Sequence, residues 1–111
     1  MMSTTRRVAQ NDISLGRLSD PPLLVLASLA DGPKHGHAML QDIEQMSGTR
    51  LGPGALYGAI TRLEEKGLIK PLPVEDRRHP YQITTAGLRL LKAQLTTMRR
   101  FANAGWKKLE A

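Results

Sequence analysis

The chain has 111 residues, 41% of them hydrophobic, with no cysteine and only one Phe, one Trp and two Tyr. That length allows one small domain with an aliphatic core plus one further element, while the lack of cysteine excludes disulfide and thiolate chemistry and fits a cytoplasmic protein. A formal net charge of +6 points to a polyanionic partner.

The charge is unevenly placed. Residues 20–86 hold seven basic and eight acidic side chains, whereas residues 87–111 hold six basic ones and only Glu110. Local clusters, not net charge, must therefore carry any argument for nucleic-acid binding.

Residues 1–18 read as a basic arm without regular structure, carrying Arg6, Arg7 and Arg17. The arm can reach along a phosphate backbone or stay solvated, and Ile13, Leu15 and Leu18 can instead dock as a short helical lead-in. It lacks the apolar run of a signal peptide. No segment approaches membrane-spanning length, so no membrane partner is expected.

Ser19-Asp20-Pro21-Pro22 marks a helix start, a capping side chain followed by proline in the first turn. Residues 23–30 (LLVLASLA) are apolar almost all round, which predicts a helix buried at the centre of the domain. Asp31-Gly32-Pro33 ends it. Lys34-His35-Gly36 opens a second helix reaching about Ser47, with Met39, Leu40, Ile43 and Met46 facing inward and Gly48 just past its end.

A third helix is predicted from Pro53 to just before Gly67. Leu56, Ala59, Ile60 and Leu63 fall at i, i+3, i+4 and i+7 and form its inner face. Its other side carries Gly54, Gly58, Thr61 and Glu65, with Tyr57 and Arg62 on the flanks. Glycine costs roughly 1 kcal/mol against alanine in a helix, so an outer face beginning with small residues suits close backbone approach to a partner. Backbone N–H groups at such an end attract anions, and DNA phosphate is the obvious one; loose packing of a core helix is the alternative. Two helices joined through a short glycine-containing turn match the helix-turn-helix pattern.

Leu68-Ile69-Lys70 and Tyr81-Gln82-Ile83-Thr84 read as two strands of a hairpin, the first kept short and at a sheet edge by Pro71 and Pro73. Thr84 or Thr85 can cap a last helix reaching about Leu109. Along it Leu88, Leu91, Leu95, Met98, Ala102, Gly105 and Leu109 follow a heptad rhythm. A second copy of the helix is the economical way to cover that seam, so a homodimer is expected. Trp106 lies just off the seam, placed either to stack on a planar small-molecule effector or to pack against the partner's domain.

With these residues in view, the chain resembles the PadR-like transcriptional regulators, winged-helix repressors of bacteria. The matching features are Asp31-Gly32-Pro33, Lys34-His35-Gly36, Pro53-Gly54-Ala55-Leu56-Tyr57, Arg62-Leu63-Glu64-Glu65-Lys66-Gly67-Leu68-Ile69, a basic wing, and Tyr81-Gln82-Ile83-Thr84 followed by Ala86-Gly87. The family usually has an aromatic residue where His37 stands, proline where Gly58 stands, and glycines in the wing loop. The single C-terminal helix places the chain with the compact members that lack a large effector domain.

The fold expected is therefore mainly α with a small β-hairpin: a basic arm over 1–18, a winged helix-turn-helix domain over 19–86 and a dimerisation helix over 87–111. The expected DNA-binding set is His35, Gly36, Pro53, Gly54, Ala55, Tyr57, Gly58, Thr61, Arg62, Arg77, Arg78 and His79. By the resemblance, Tyr57 helps hold the DNA backbone, the third helix enters the major groove and the wing touches flanking phosphates. Packing of Tyr57 on the hairpin, pairing of Arg62 with acidic neighbours and a plain surface role for Thr61 remain open.

A zinc site of His35, His37 and His79 lacks the cysteines and carboxylates such sites favour. Glu64-Glu65 and Glu75-Asp76 are adjacent, solvated pairs poorly suited to acid–base catalysis. No cofactor, metal or catalytic residue is expected. The function read here is sequence-specific repression by a homodimer on double-stranded operator DNA, with a small-molecule effector as the candidate releasing signal. A winged-helix module for protein association, without specific DNA binding, is the alternative.

Overall fold

The structure, a computed structural model, describes residues 20–111. The arm expected over 1–18 lies outside the described residues. The elements in order are α1 (Pro21–Leu29), α2 (Gly36–Ser47), α3 (Pro53–Glu65), β1 (Ile69–Pro71), β2 (Tyr81–Ile83) and α4 (Thr85–Glu110).

Helix α1 is the axis of the core. Val25, Leu26 and Leu29 are at most 1% exposed, and α2, α3 and α4 surround them with Met39, Ile43, Leu56, Ala59, Ile60, Leu63 and Leu91. Each fully buried aliphatic side chain contributes about 1.5–3 kcal/mol by leaving water. The expected side-chain cap on α1 is absent at Asp20, whose carboxylate makes no capping bond. Prolines in the first turn already leave fewer N–H groups to satisfy, and the Asp20 carbonyl accepts from Leu24 N–H at 3.0 Å.

Two side-chain caps form, the one at Thr84 as the sequence suggests. His35 Nδ1 accepts from Ala38 N–H at the start of α2, and Thr84 Oγ1 accepts from Gly87 N–H at the start of α4. Helix α3 ends in a Schellman motif: Gly67 N–H donates to the Glu64 carbonyl and Leu68 N–H to that of Leu63, at 3.0 and 2.9 Å. Met46 departs from expectation and is 46% exposed. It lies in the last turn of α2, beyond Ile43, the last buried residue of that helix.

The hairpin pairs Ile69 with Ile83, Lys70 with Gln82 and Pro71 with Tyr81, antiparallel. Hydrogen bonds from Thr84 N–H to Leu68 O and from Leu72 N–H to Pro80 O bracket this register. Inter-strand bonds recur every second residue in an antiparallel ladder, so Pro71 faces out of the hairpin and its missing N–H costs nothing.

A third strand-like contact was not legible in the sequence. Lys34, in the lead to α2, forms an antiparallel bridge with Tyr81, exchanging bonds of 3.2 and 3.0 Å. Its ammonium donates to the Ser28 carbonyl and pairs with Asp31, with Asp42 at 3.8 Å. Ser28, buried in α1, donates from its hydroxyl to Asp42 at 2.7 Å. This network ties the end of α1 to α2 and, through the Lys34 backbone, to the hairpin.

Helix α4 is 26 residues long, which at 1.5 Å per residue is about 39 Å. It gives the molecule a long axis of 55 Å against 29 and 22 Å for the others. The heptad seam divides along it. Leu91 is 3% exposed within the chain's own core and Met98 packs partly against that core. Leu88, Leu95, Ala102 and Leu109 are exposed and Gly105 is half-buried. The expectation that the whole seam lacks a partner within its own fold is thus corrected at Leu91 and Met98: α4 first crosses α1 before projecting beyond the domain.

Candidate nucleic-acid interface

The site is built where three chain segments converge. The Lys34–Tyr81 bridge draws the start of α2 to the base of the wing, and α3 presents Tyr57 beside them. His35, Gly36, His37, Tyr57, Arg77, Arg78, His79 and Tyr81 line one open cleft of about 630 Å³. Six of these eight belong to the DNA-binding set expected from sequence.

Gly36 and Tyr57 explain each other. A Cβ on Gly36 would overlap the phenolic oxygen and lie 2.9 Å from Tyr57 Cζ. The buried glycine lets the ring lie against α2 while Tyr57 stays 51% exposed. Tyr57 therefore sets its phenol end against Gly36 of α2, in the cleft it shares with Tyr81 of the hairpin. Across the cleft, Tyr81 has its phenol raised above the ordinary value, chiefly by burial and further by the nearby Glu64 and Tyr57, so it is a neutral donor at neutral pH.

The wing tip turns through Asp76 and Arg77 with φ of 48° and 66°. Glu75 and Arg78 flank them with reciprocal backbone bonds of 3.0 and 2.8 Å. Two central residues of positive φ make this a type I′ turn, the geometry that matches strand twist and usually takes Asn-Gly or Asp-Gly. Here arginine holds the glycine position. Arg77, Arg78 and His79 are exposed at this tip. Glu75, Asp76 and Arg78 share a neighbouring hollow with His35. The ion pairs among the described residues are Lys34–Asp31, Lys34–Asp42 and Arg50–Glu44, so none occupies the wing arginines.

Beside the cleft, the first turn of α3 leaves Pro53, Gly54 and Ala55 exposed, with Gly58 half-buried one turn on. Nothing lies within 4 Å of a Cβ placed on Gly54 or Gly58, so neither glycine is required by packing within the chain. Thr61 is exposed, and its hydroxyl donates to the Tyr57 carbonyl at 2.9 Å. Arg62 is the outlier. Five residues beyond Tyr57, it has turned about 140° around the helix and lines a separate hollow of about 330 Å³ with Asp20, Leu90 and Gln94. It is also absent from the ion pairs formed with acidic neighbours.

The three histidines do reach one cleft, yet among the described residues no group of His, Asp and Glu is arranged to hold a metal ion. Sequence reasoning missed Lys34 and Tyr81 as organisers of the site. An alternating apolar pattern marks β2, but a one-residue bridge leaves no such signal at Lys34.

The sequence profile of the transcriptional regulator PadR-like family matches residues 25–93, more than half of the chain. The chain belongs to the PadR-like family. A PadR family transcriptional regulator from Eggerthella lenta is 25% identical and superposes with a TM-score of 0.74, covering 100% of this chain and 99% of that one. A PadR family transcription regulator from Clostridium difficile is 22% identical, with a TM-score of 0.71 over 80% of this chain and 97% of that chain. A transcriptional regulator from Clostridium thermocellum gives 23% and 0.68, covering 96% of each.

A 37.1 kDa protein in transposon TN4556 of Streptomyces fradiae, itself uncharacterised, is 50% identical over 86 residues. Those residues are 78% of this chain and 25% of that protein, so the PadR-like chain spans about a quarter of its curated relative. Family membership and the superposition give the chain the winged helix-turn-helix fold of PadR-like transcriptional regulators. No helix among the described residues is long and apolar enough to cross a membrane.

Proposed function

We propose that this PadR-like chain acts in the cytoplasm as a homodimeric, sequence-specific repressor on operator DNA. The observation that carries the reading is the single surface formed by the cleft residues, the exposed first turn of α3 and the wing tip. On it, His35, Tyr57, Arg77, Arg78 and His79 supply donors for phosphate oxygens. Pro53, Gly54, Ala55 and Gly58 offer a low-relief helix end that fits a major groove, where the Ala55 methyl group can meet a thymine methyl. Thr61 continues that side of the helix. Arg62 is left out of the contact set.

The domain over 19–86 is the DNA-binding unit in this reading and α4 the dimerisation helix, joined through Leu88, Leu95, Ala102, Gly105 and Leu109. Leu91 and Met98 contribute by fixing α4 to the domain. Two copies place two α3 helices on successive half-sites. Trp106, 64% exposed beside the seam, is the candidate for a planar effector that releases DNA, or for packing on the partner's domain.

The near-neutral charge of residues 20–86 favours one other reading, a winged-helix module that binds proteins. Titration of duplex DNA from upstream of the protein's own gene against random duplex, at several salt concentrations, separates the two. The repressor reading expects tighter binding to the upstream DNA and a steep loss with salt as counterions are displaced. It also expects a folded Gly58→Glu variant to lose binding. Equal affinity for both duplexes at physiological salt, or normal binding by that variant, overturns it.

A further inference from the structure

Helices α1 and α3 each have one end at the interface and the other at α4. The C-terminal end of α1 runs through Lys34 to Tyr81 in the cleft, and the N-terminal part of α3 carries Tyr57 there. Their opposite ends, Asp20, Pro22 and Leu23 at one and Arg62, Leu63 and Lys66 at the other, line one hollow with Leu90 and Gln94 of α4. Helix α3 has 13 residues, about 20 Å of separation between its two ends. Helix α4 therefore closes the end of the domain remote from the operator-facing surface.

The outer side of α4 is strongly basic. Arg89, Arg100 and Lys107 lie about 160–180° around the helix from buried Leu91, and Lys92 and Arg99 about 80–100° around, at 100° per residue. All five are exposed. Between Arg89 and Lys107 they span about 27 Å of helix. Glu110 is the only carboxylate on α4, and none of these cations joins an ion pair among the described residues. The exposed seam residues Leu88, Leu95, Ala102 and Leu109 sit within about 60° of Leu91, so a second helix laid on the seam leaves Arg89, Arg100 and Lys107 facing outward, with Lys92 and Arg99 on its flank.

We propose that this basic face is a second, sequence-independent surface for duplex DNA, on the opposite end of the domain from the operator surface, so that one protein holds two DNA segments. The inference rests on the DNA-binding reading above. Charge complementarity selects the partner: five unpaired cations in a row fit an extended polyanion, and DNA is the polyanion on which a DNA-bound regulator is already concentrated. Like charges along one helix repel each other, and a phosphate backbone relieves that repulsion while releasing counterions.

The test uses the full chain. The tightest-binding duplex selected from a random-sequence library is immobilised and loaded with protein, and capture of a labelled second duplex of random sequence is then measured. Wild-type protein is expected to capture the second duplex at about 50 mM salt and to release it by about 200 mM. An Arg100→Glu, Lys107→Glu double variant is expected to bind the immobilised duplex within twofold of wild type yet lose second-duplex capture at least tenfold. Circular dichroism and sedimentation check its fold and assembly.

No capture by wild type, or equal capture by variant and wild type, overturns the proposal. Loss of affinity for the immobilised duplex in the folded variant also overturns it, because the face then touches the operator duplex itself. Capture of polyglutamate but not duplex assigns the face to an acidic protein instead. Failure of the selection step to enrich any sequence fails the repressor reading, and is seen before the second duplex is added.

Discussion

The backbone of α4 at Gly87 lies directly against the carbonyl of Leu68, so closely that a Cβ on Gly87 would overlap that oxygen and stand 2.7 Å from Ile83 Cγ1. Thr84 locks the same junction. Its N–H donates to Leu68 O, its hydroxyl donates to Gly67 O at 2.7 Å, and the same hydroxyl oxygen accepts from Gly87 N–H. The end of α3, the base of the wing and the start of α4 are thus one rigid corner. It aims the long helix.

Gly87→Ala is expected to destabilise the protein by about 1–3 kcal/mol, the usual cost of overpacking where the neighbour is backbone that cannot rotate away. Thermal unfolding measures it, and a melting temperature equal to wild type contradicts the fit described here. Gly54→Ala, with open space at its Cβ, is the control and leaves stability unchanged or slightly raised.

Tyr57→Phe keeps the ring against Gly36 and removes only the phenolic hydroxyl. The fold is expected to persist, while DNA affinity falls by about 1 kcal/mol, roughly fivefold, for one lost neutral hydrogen bond to phosphate. A gel-shift or anisotropy titration reads this directly. Unchanged affinity assigns Tyr57 to packing alone.

The wing separates stability from binding. Left-handed backbone costs a non-glycine residue roughly 1–2 kcal/mol, so Arg77→Gly is expected to leave the domain as stable or up to about 1 kcal/mol more stable. The same change weakens DNA binding. Arg78→Ala lowers affinity on all sequences alike and reduces the salt slope by about 1. Parallel melts and salt titrations check both, and a more stable Arg77→Gly protein with full affinity places the wing off the DNA.

Two leucines one turn apart on α4 make opposite predictions. Leu91→Lys puts a charge in the domain core and is expected to unfold the protein. Leu95, 43% exposed, should accept lysine within the fold but lose the dimer, because the charge is desolvated at the interface without a partner. Most DNA affinity goes with it, since two half-sites are no longer held together. Sedimentation at micromolar concentration distinguishes the cases; a Leu95→Lys protein that stays dimeric places the seam elsewhere.

Acid should weaken the α1–α2 junction. Lys34 holds the Asp31 carboxyl below the usual carboxylate range, chiefly through their hydrogen bond and then through charge. A depressed carboxylate contributes stability above its unfolded value of about 3.9 and loses it as pH falls through the lower folded value. Asp31 is fully exposed, so the effect is small. Melts of wild type and Asp31→Asn should differ slightly at pH 7 and converge below that range, and a gap that widens in acid contradicts the assignment.

Local chemistry determined most of the fold. Apolar spacing placed the inner face of α3, an all-round apolar run buried α1, Thr84 announced its cap, and Gly48 and Gly67 ended their helices, because capping and periodicity act within one or two turns. Arg77, Arg78 and His79 were legible at the wing tip because a short polar loop between strands has only one place to go. What the tertiary structure decided are the relations between distant segments. The Lys34–Tyr81 bridge and the seating of Tyr57 on Gly36 depend on contacts between residues far apart in sequence, for which a sequence pattern carries no signal. A heptad count could not say that Leu91 and Met98 serve the chain's own core while Leu95 faces outward. That depends on where α4 crosses α1, which the Gly87–Leu68 contact fixes.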